Sequence, residues 1–249
     1  MRAIVTRGTG GPEVLAVGEA ERPSPGPDEV LVRVAATAVN RADVSQRQGN
    51  YPPPPGESPI LGLEVAGRIE AVGDGVERWR VGGRVMTLVG GGGYAEYALA
   101  PASTLLAVPE RFDLVTAAAI PEVFITAYLN IFREAALRQN ETVLIHGGAS
   151  GVGTAAIQLA RRLRDARVLV TVGGDAKAEA CGALGAEPIL YHAENFADRV
   201  RALTDKRGAD VILDHIGGAY LADNLRCLAT YGRLVIIGLL GGAKAELNI

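Results

Sequence analysis

The stretch over 142–163 constrains this chain more than any other. An apolar run over 142–146 ends in Gly147-Gly148-Ala149-Ser150-Gly151-Val152-Gly153, after which Val152, Ala156, Leu159, Ala160 and Leu163 recur at helical spacing. Arg161, Arg162 and Arg164 cluster near the end of that helix, where its dipole favours cations. A buried-type strand, a glycine-rich turn and an amphipathic helix in that order are the setting of a dinucleotide-binding turn. The backbone there must turn tightly, let a pyrophosphate come within hydrogen-bonding distance and aim helix N-terminal N–H groups at it. Ordinary strand-to-helix loops also use glycine, so the triplet alone is weak. A second strand ending about 20 residues later completes the fingerprint.

That unit sits in a longer alternation. The pattern predicts strands over 168–172, 188–191, 211–214 and 234–238. It predicts helices over 176–184, closed by Gly185, over 196–203, and near 219–228. Strands alternating with helices mean a parallel sheet built from βαβ units. Before about residue 120, in contrast, short β-type runs over 1–5, 30–34, 63–71 and 94–99 are separated by Gly/Pro-rich turns over 23–27, 51–56, 72–76 and 90–93. The expectation is an all-β, barrel-like or sandwich-like domain over 1–121, followed by a doubly wound α/β nucleotide-binding domain over 122–249.

Composition excludes several classes of function. With 48% hydrophobic and 21% charged residues, the 249-residue chain has a globular composition, and its formal charge of -3 is too small to suggest a nucleic-acid surface or an acidic tail. No apolar run is long enough for a bilayer span, and the N-terminus lacks the apolar region of a signal peptide. Cys181 and Cys227 are the two cysteines and have no CxxC spacing, so neither a disulfide framework nor a zinc knuckle is expected. A reducing cytoplasm fits them.

Cofactor choice is read at the end of the second α/β strand, where NAD-preferring units place an acid that holds the ribose hydroxyls. This chain has Thr171-Val172-Gly173-Gly174-Asp175-Ala176-Lys177. Gly173 offers no carboxylate to repel a 2′-phosphate, and Lys177 offers an ammonium to attract one, although it also suits a solvated helix face. Asp175 reads as a helix cap, with a ribose contact as the alternative. The better reading is NADP.

Other conspicuous residues have plain readings. His146, His192 and His215 each follow a strand, lack metal-ligand spacing, and are expected in local hydrogen bonds. Asn40 suits a turn, Asp43 a helix cap, and Glu64 a satisfied structural carboxylate. Tyr51 opens a Pro-rich loop, which leaves two roles open to it, packing against the loop and ligand binding. The glycines over 90–93 mark a tight turn.

Taken together, several segments resemble the zeta-crystallin type of quinone oxidoreductase, in the medium-chain dehydrogenase/reductase superfamily. They are Ala38-Val39-Asn40-Arg41-Ala42-Asp43, Gln46-Arg47-Gln48-Gly49, Tyr51-Pro52-Pro53-Pro54-Pro55-Gly56, Leu61-Gly62-Leu63-Glu64-Val65-Ala66-Gly67, the glycines over 90–93 with Tyr94, Ala118-Ala119-Ile120-Pro121-Glu122, and the run over 146–160. The similarity is greatest to the tumour-suppressor-inducible subgroup and covers the full length given.

The resemblance implies a GroES-like catalytic domain, a Rossmann domain, and an active site in the cleft between them. It also implies NADPH as donor, a quinone as acceptor, and a homodimer. Asn40, Tyr51 and Thr126 would lie near the nicotinamide and substrate. Ala149, Ser150, Gly151 and Val152 would face the pyrophosphate, and Gly173, Lys177 and Tyr191 would surround the adenosine end. Gly238 and Leu239 would supply backbone contacts to the nicotinamide. Zinc-using members of the superfamily carry a Cys and a Gly-His-Glu in the first domain, where this chain reads Asn40-Arg41-Ala42-Asp43 and Gly62-Leu63-Glu64, so no metal is expected.

The chain departs from the family pattern in two places. Gly174 replaces a small hydroxyl residue that helps many relatives bind the 2′-phosphate. The chain also stops at Ile249, where relatives add a strand and a return segment, so an incomplete enzyme is expected. The partners expected are a small quinone or enone, with no nucleic acid and no membrane. The other readings are reduction of α,β-unsaturated carbonyls and a non-catalytic, crystallin-like nucleotide- or RNA-binding protein.

Overall fold

The computed structural model describes residues 1–247, so the last two residues of the expected second domain, Asn248 and Ile249, lie outside the described residues. The chain separates into two compact units, Met1–Glu122 and Val123–Ile249.

In the first unit, β1 (Arg2–Thr6) and β2 (Leu15–Glu19) form an antiparallel hairpin in register from Arg2–Glu19 to Thr6–Leu15. The main sheet is built from β3 (Glu29–Ala36), β4 (Glu64–Val72), β5 (Arg84–Leu88), β6 (Tyr97–Pro101) and β7 (Leu106–Ala107), antiparallel in the order β6-β3-β4-β5-β7. Val30, Val32, Val65, Ile69, Val85 and Ala98 point to one core, closed by Trp79, whose indole N–H donates to the Ala102 carbonyl at 2.8 Å. Alternation places Ala66 and Met86 on the opposite face, where helix Leu114–Ala118 covers them with Ala117 and Ala118. Asp113 caps that helix by accepting from the Thr116 N–H at 2.6 Å. An earlier short helix, α1 (Arg41–Arg47), follows β3; the helix over 114–118 is α2.

The strand expected over 94–99 begins only at Tyr97. Gly92 adopts φ +90, and the Tyr94 N–H bonds back to the Leu61 carbonyl at 2.8 Å. These keep Tyr94 in the glycine turn, and Ala95 makes only an isolated bridge to Ala3.

The second unit alternates as its sequence predicts. The order is α3 (Pro121–Tyr128, in which the division between units falls), β8 (Thr142–Ile145), α4 (Gly151–Arg164), β9 (Arg167–Val172), α5 (Asp175–Ala183), β10 (Glu187–Leu190), α6 (Phe196–Leu203), β11 (Ala209–Asp214), α7 (Leu221–Cys227) and β12 (Leu228–Ile236). Five strands among the described residues pair in parallel in the order β10-β9-β8-β11-β12. All four residues of β8 are buried, as a central strand covered on both faces requires. Val143, Ile145, Val168 and Val170 pack on one side with Ala156, Ile157 and Ala160 of α4. Leu144, Leu169 and Ile212 pack on the other with Phe196, Ala197 and Val200 of α6.

Two boundaries differ from expectation. The last strand starts at Leu228 rather than near 234, with a register shift between Ala209–Leu228 and Val211–Arg233. Tyr231, at φ +61, lies in the extra length, so the strand is longer and irregular, and it ends before Gly238. The helix expected near 219–228 begins instead as a tighter turn, Gly218–Tyr220, before α7. Arg233 anchors β12 by donating to the Ala135 and Ala136 carbonyls and to both Glu141 oxygens at 3.0 and 2.6 Å. Among the described residues no helix is long and apolar enough to cross a membrane.

Candidate functional site

In the second unit the chemistry gathers at the C-terminal ends of the parallel strands. The strand order reverses between β8 and β11, and open α/β sheets bind ligands at such a switch point. Gly147, immediately after β8, takes φ +60, a conformation that side chains resist. The turn then brings Gly153 so close that a Cβ there would stand 2.5 Å from the Gly147 and Gly148 carbonyl oxygens. Ser150 is the N-cap of α4, and its hydroxyl accepts from the Gly153 N–H at 3.0 Å. The Thr154 N–H closes on the Ser150 carbonyl at 2.9 Å. The N–H groups of Gly151 and Val152 therefore remain as the open donors of the helix, with no protein acceptor among the described residues. Ala149 is half-buried beside them and Gly151 is exposed. Two uncapped amides at a positive helix end are what a dinucleotide pyrophosphate requires, so these residues fit the group.

At the end of β9, Gly173 is exposed and Tyr191 reaches over it from the end of β10. A Cβ on Gly173 would lie 2.8 Å from the Tyr191 hydroxyl. Lys177 stands exposed in the first turn of α5. The cap of α5 differs from expectation: Gly174 is the N-cap, and Asp175 is the first helical residue. An acid there still faces the positive helix end, so the dipole, rather than a capping hydrogen bond, explains its place.

Beyond β12, Gly238 and Leu239 enter a loop tied to the segment after β11. Leu240 and Gly241 donate their N–H groups to the His215 and Ile216 carbonyls at 3.1 and 2.6 Å. Thr126 sits half-buried on α3, and its carbonyl accepts from the Asn130 side chain at 2.8 Å.

The histidines divide. His146 is fully buried, bonded through Nδ1 to the Thr171 hydroxyl (3.0 Å) and through Nε2 to the Asn224 Oδ1 (2.7 Å). Burial pushes its pKa down to about 4, so the ring is neutral. The His192 and His215 side chains, in contrast to the expectation, make no hydrogen bond among the described residues. The His192 ring packs on Tyr191 with centroids 4.2 Å apart. The His215 ring lies against Gly147, where an added Cβ would come within 2.5 Å of it. Burial lowers its pKa too.

In the first unit, Asn40 is the N-cap of α1. Its side-chain amide donates to Glu64 Oε1 at 2.7 Å, and its backbone N–H donates to Asp43 Oδ2 at 2.7 Å. Asp43 is thus the third residue of the helix, reaching back to the cap rather than forming it. The Tyr94 hydroxyl donates to the same Asp43 oxygen at 2.8 Å, and the Glu122 N–H donates to Glu64 Oε2 at 2.9 Å. Both carboxyls are buried. Burial raises the Glu64 pKa against its two hydrogen bonds, and burial beside Asp43 holds the Tyr94 phenol protonated far above its usual range. Asp43 Oδ1 and Gln46 Oε1 are buried with no hydrogen-bond partner among the described residues. Glu64 has the satisfied, structural role expected of it, and through it Asn40 is held in one orientation. Tyr51, 49% exposed on its loop, joins none of these bonds. Sequence reading gave no role to Tyr94, Thr171, Asp214 or Asn224, because each is an ordinary polar residue whose hydrogen-bond partners are brought to it only by the fold. No group of three or more His, Cys, Asp or Glu able to hold a metal ion occurs among the described residues.

Comparison with known proteins is consistent with this geometry. Residues 26–110 match the alcohol dehydrogenase GroES-like domain, and residues 151–249 match the zinc-binding dehydrogenase family. The chain is 37% identical over 251 residues to a quinone oxidoreductase of Lama guanicoe, covering 100% of this chain and 75% of that protein. The crystal structure of Escherichia coli quinone oxidoreductase complexed with NADPH superimposes with a TM-score of 0.90 at 30% identity, over 100% of this chain and 76% of that one. The CurK enoyl reductase structure superimposes with a TM-score of 0.89, also at 30% identity, over 96% and 74%.

Proposed function

This chain belongs to the quinone oxidoreductase family of the medium-chain dehydrogenase/reductase superfamily, and from that premise we propose that it reduces a small quinone with NADPH and without a metal. The observation that carries the reading is the glycine turn with its two open helix N–H groups. In an oxidoreductase of this family, such a turn is a dinucleotide pyrophosphate site. When bound, the dinucleotide supplies the hydride.

The chain's own residues supply position. Gly151 and Val152 hold the pyrophosphate through their N–H groups, with Ala149 and Ser150 shaping the turn. Gly173 leaves room and no repelling charge beside a 2′-phosphate, Lys177 offers a cation to it, and Tyr191 flanks the adenosine. Gly238 and Leu239 offer backbone to the nicotinamide. In the first unit Asn40, fixed by the buried Glu64, orients an acceptor carbonyl and Tyr51 assists it; in the second unit Thr126 serves the nicotinamide end. A reduced quinone takes its proton from water, so no strong general acid is needed. The reading includes a homodimer and a cytoplasmic setting, in keeping with two buried, unpaired thiols, Cys181 and Cys227.

The likeness to an enoyl reductase supports a second acceptor class, α,β-unsaturated carbonyls. NADPH consumption followed by absorbance with a naphthoquinone, with an enone and with neither separates the cases. We expect the quinone to give the fastest turnover. Consumption with the enone alone would move the substrate assignment to the second class. NADPH that neither binds nor is consumed would end the reading altogether.

A further inference from the structure

Behind the phosphate turn, inside the second unit, four buried polar side chains form one directed chain of hydrogen bonds. Thr171, His146, Asn224 and Asp214 are each at most 1% exposed. The donor of every bond follows from the carboxylate end. Asp214 accepts from the Ile216 N–H at 2.6 Å, from the Gly217 N–H at 3.1 Å and from Asn224 Nδ2 at 3.0 Å. The Asn224 amide therefore turns its oxygen to His146, which donates through Nε2 at 2.7 Å. A neutral imidazole protonated at Nε2 leaves Nδ1 as an acceptor, and the Thr171 hydroxyl donates to it at 3.0 Å. With its proton so committed, Thr171 Oγ1 accepts the Gly147 N–H at 3.2 Å.

One end of the chain is the first amide of the phosphate turn after β8. The other end is the pair of amides after β11, on the neighbouring strand. The two loops flank the switch point of the sheet. The second loop in turn carries the Gly238–Leu239 segment, because the His215 and Ile216 carbonyls accept from Leu240 and Gly241.

Stability alone does not call for this arrangement. The interior of a parallel sheet is held as well by apolar side chains, and four buried polar groups cost desolvation that their mutual bonds merely offset. What such a chain adds is one permitted arrangement of the backbone at its two ends.

We propose that Thr171, His146, Asn224 and Asp214 are positioning residues for the dinucleotide, locking the pyrophosphate turn and the loop after β11 into a single binding geometry. None of the four touches the ligand; they act through Gly147, Ile216 and Gly217. The inference rests on the reading of the turn as a dinucleotide site.

The test compares wild type with Thr171→Val, which keeps the shape and removes the hydroxyl, with Thr171→Ser, which restores it, with Asn224→Leu, and with the Val/Leu double variant. NADPH affinity is measured by calorimetry, unfolding temperature without ligand by circular dichroism, and the Gly147 and Gly217 amide resonances by NMR. Thr171→Val should weaken NADPH binding on the order of tenfold while the unliganded protein stays folded, and Thr171→Ser should recover it. Asn224→Leu should move the Gly147 resonance, which it does not touch. The double variant should bind no more weakly than its poorer parent, because a chain once cut is not cut again. Wild-type affinity in Thr171→Val, or losses that multiply in the double variant, would overturn the proposal while leaving the dinucleotide reading intact. A wild type that binds no NADPH would instead remove the reading on which the proposal rests.

Discussion

The Tyr191 hydroxyl lies 2.8 Å from the place where a Cβ on Gly173 would stand, so the end of β9 is kept bare and is roofed by a phenol from the end of β10. Any side chain at 173 must push Tyr191 aside, and an acidic one would also repel a 2′-phosphate. Wild type should therefore bind NADPH about tenfold more tightly than NADH, and Lys177→Ala should narrow that gap. Gly173→Asp should reverse it. Titration of both dinucleotides by fluorescence checks each statement, and equal wild-type affinities would refute the assignment of the adenosine end.

Asn40 and Glu64 are joined at 2.7 Å, with Glu64 buried. Asn40→Asp replaces a donor by a second carboxylate against the first. The variant should lose about 1–3 kcal/mol of stability. The added repulsion raises the carboxyl pKa in the folded state, so the loss grows as pH rises and shrinks as a proton enters the pair. Urea unfolding of wild type and variant at mildly acidic and mildly alkaline pH should show the gap widening with pH; a gap independent of pH would mean that the two groups do not face each other.

His146 carries the opposite pH dependence. Its pKa is about 4 in the folded protein, against 6.5 for a free histidine. Burial is the main cause, opposed by the Asn224 bond and by Asp214 and reinforced by His215. The unfolded chain takes up the proton first, so stability falls as pH drops from about 6.5 to about 4. The sum is about 3 kcal/mol for this one group. His215, also lowered by burial, adds in the same direction. Denaturation midpoints followed across that range should fall steeply in wild type and more gently in His146→Gln. Parallel curves would assign the acid sensitivity elsewhere.

Zinc content is a direct check on the metal-free reading. By the family resemblance, the stretches where zinc-using members carry a Cys and a Gly-His-Glu read Asn40-Arg41-Ala42-Asp43 and Gly62-Leu63-Glu64 here, without the Cys or His of a tetrahedral N/S site. Protein purified without a metal-binding tag should carry far less than one zinc per chain by elemental analysis, and dialysis against a chelator should leave NADPH affinity unchanged. One zinc per chain surviving dialysis would contradict this.

The sequence alone determined the alternation of β8 to β12 with α4 to α7, the glycine turn, the shift from β to α/β architecture near residue 120, and the absence of an acid at Gly173. All of these are written in local periodicity, in glycines that no other residue can replace, and in single positions relative to a strand end. The boundaries that local signals misplaced are those governed by distant partners. Tyr94 is held back from its strand by Leu61, and β12 is lengthened by pairing with β11.

The same reason explains what was missed in the candidate site. Thr171, Asn224 and Asp214 look unremarkable in the sequence, and His146 reads as an isolated histidine. Hydrogen bonds spanning 25 residues from His146 to Thr171 and 78 residues from His146 to Asn224 are formed only when β8, β9, β11 and α7 have packed. Buried polar groups accept one geometry, and only the tertiary structure could decide which side chains would meet to satisfy it.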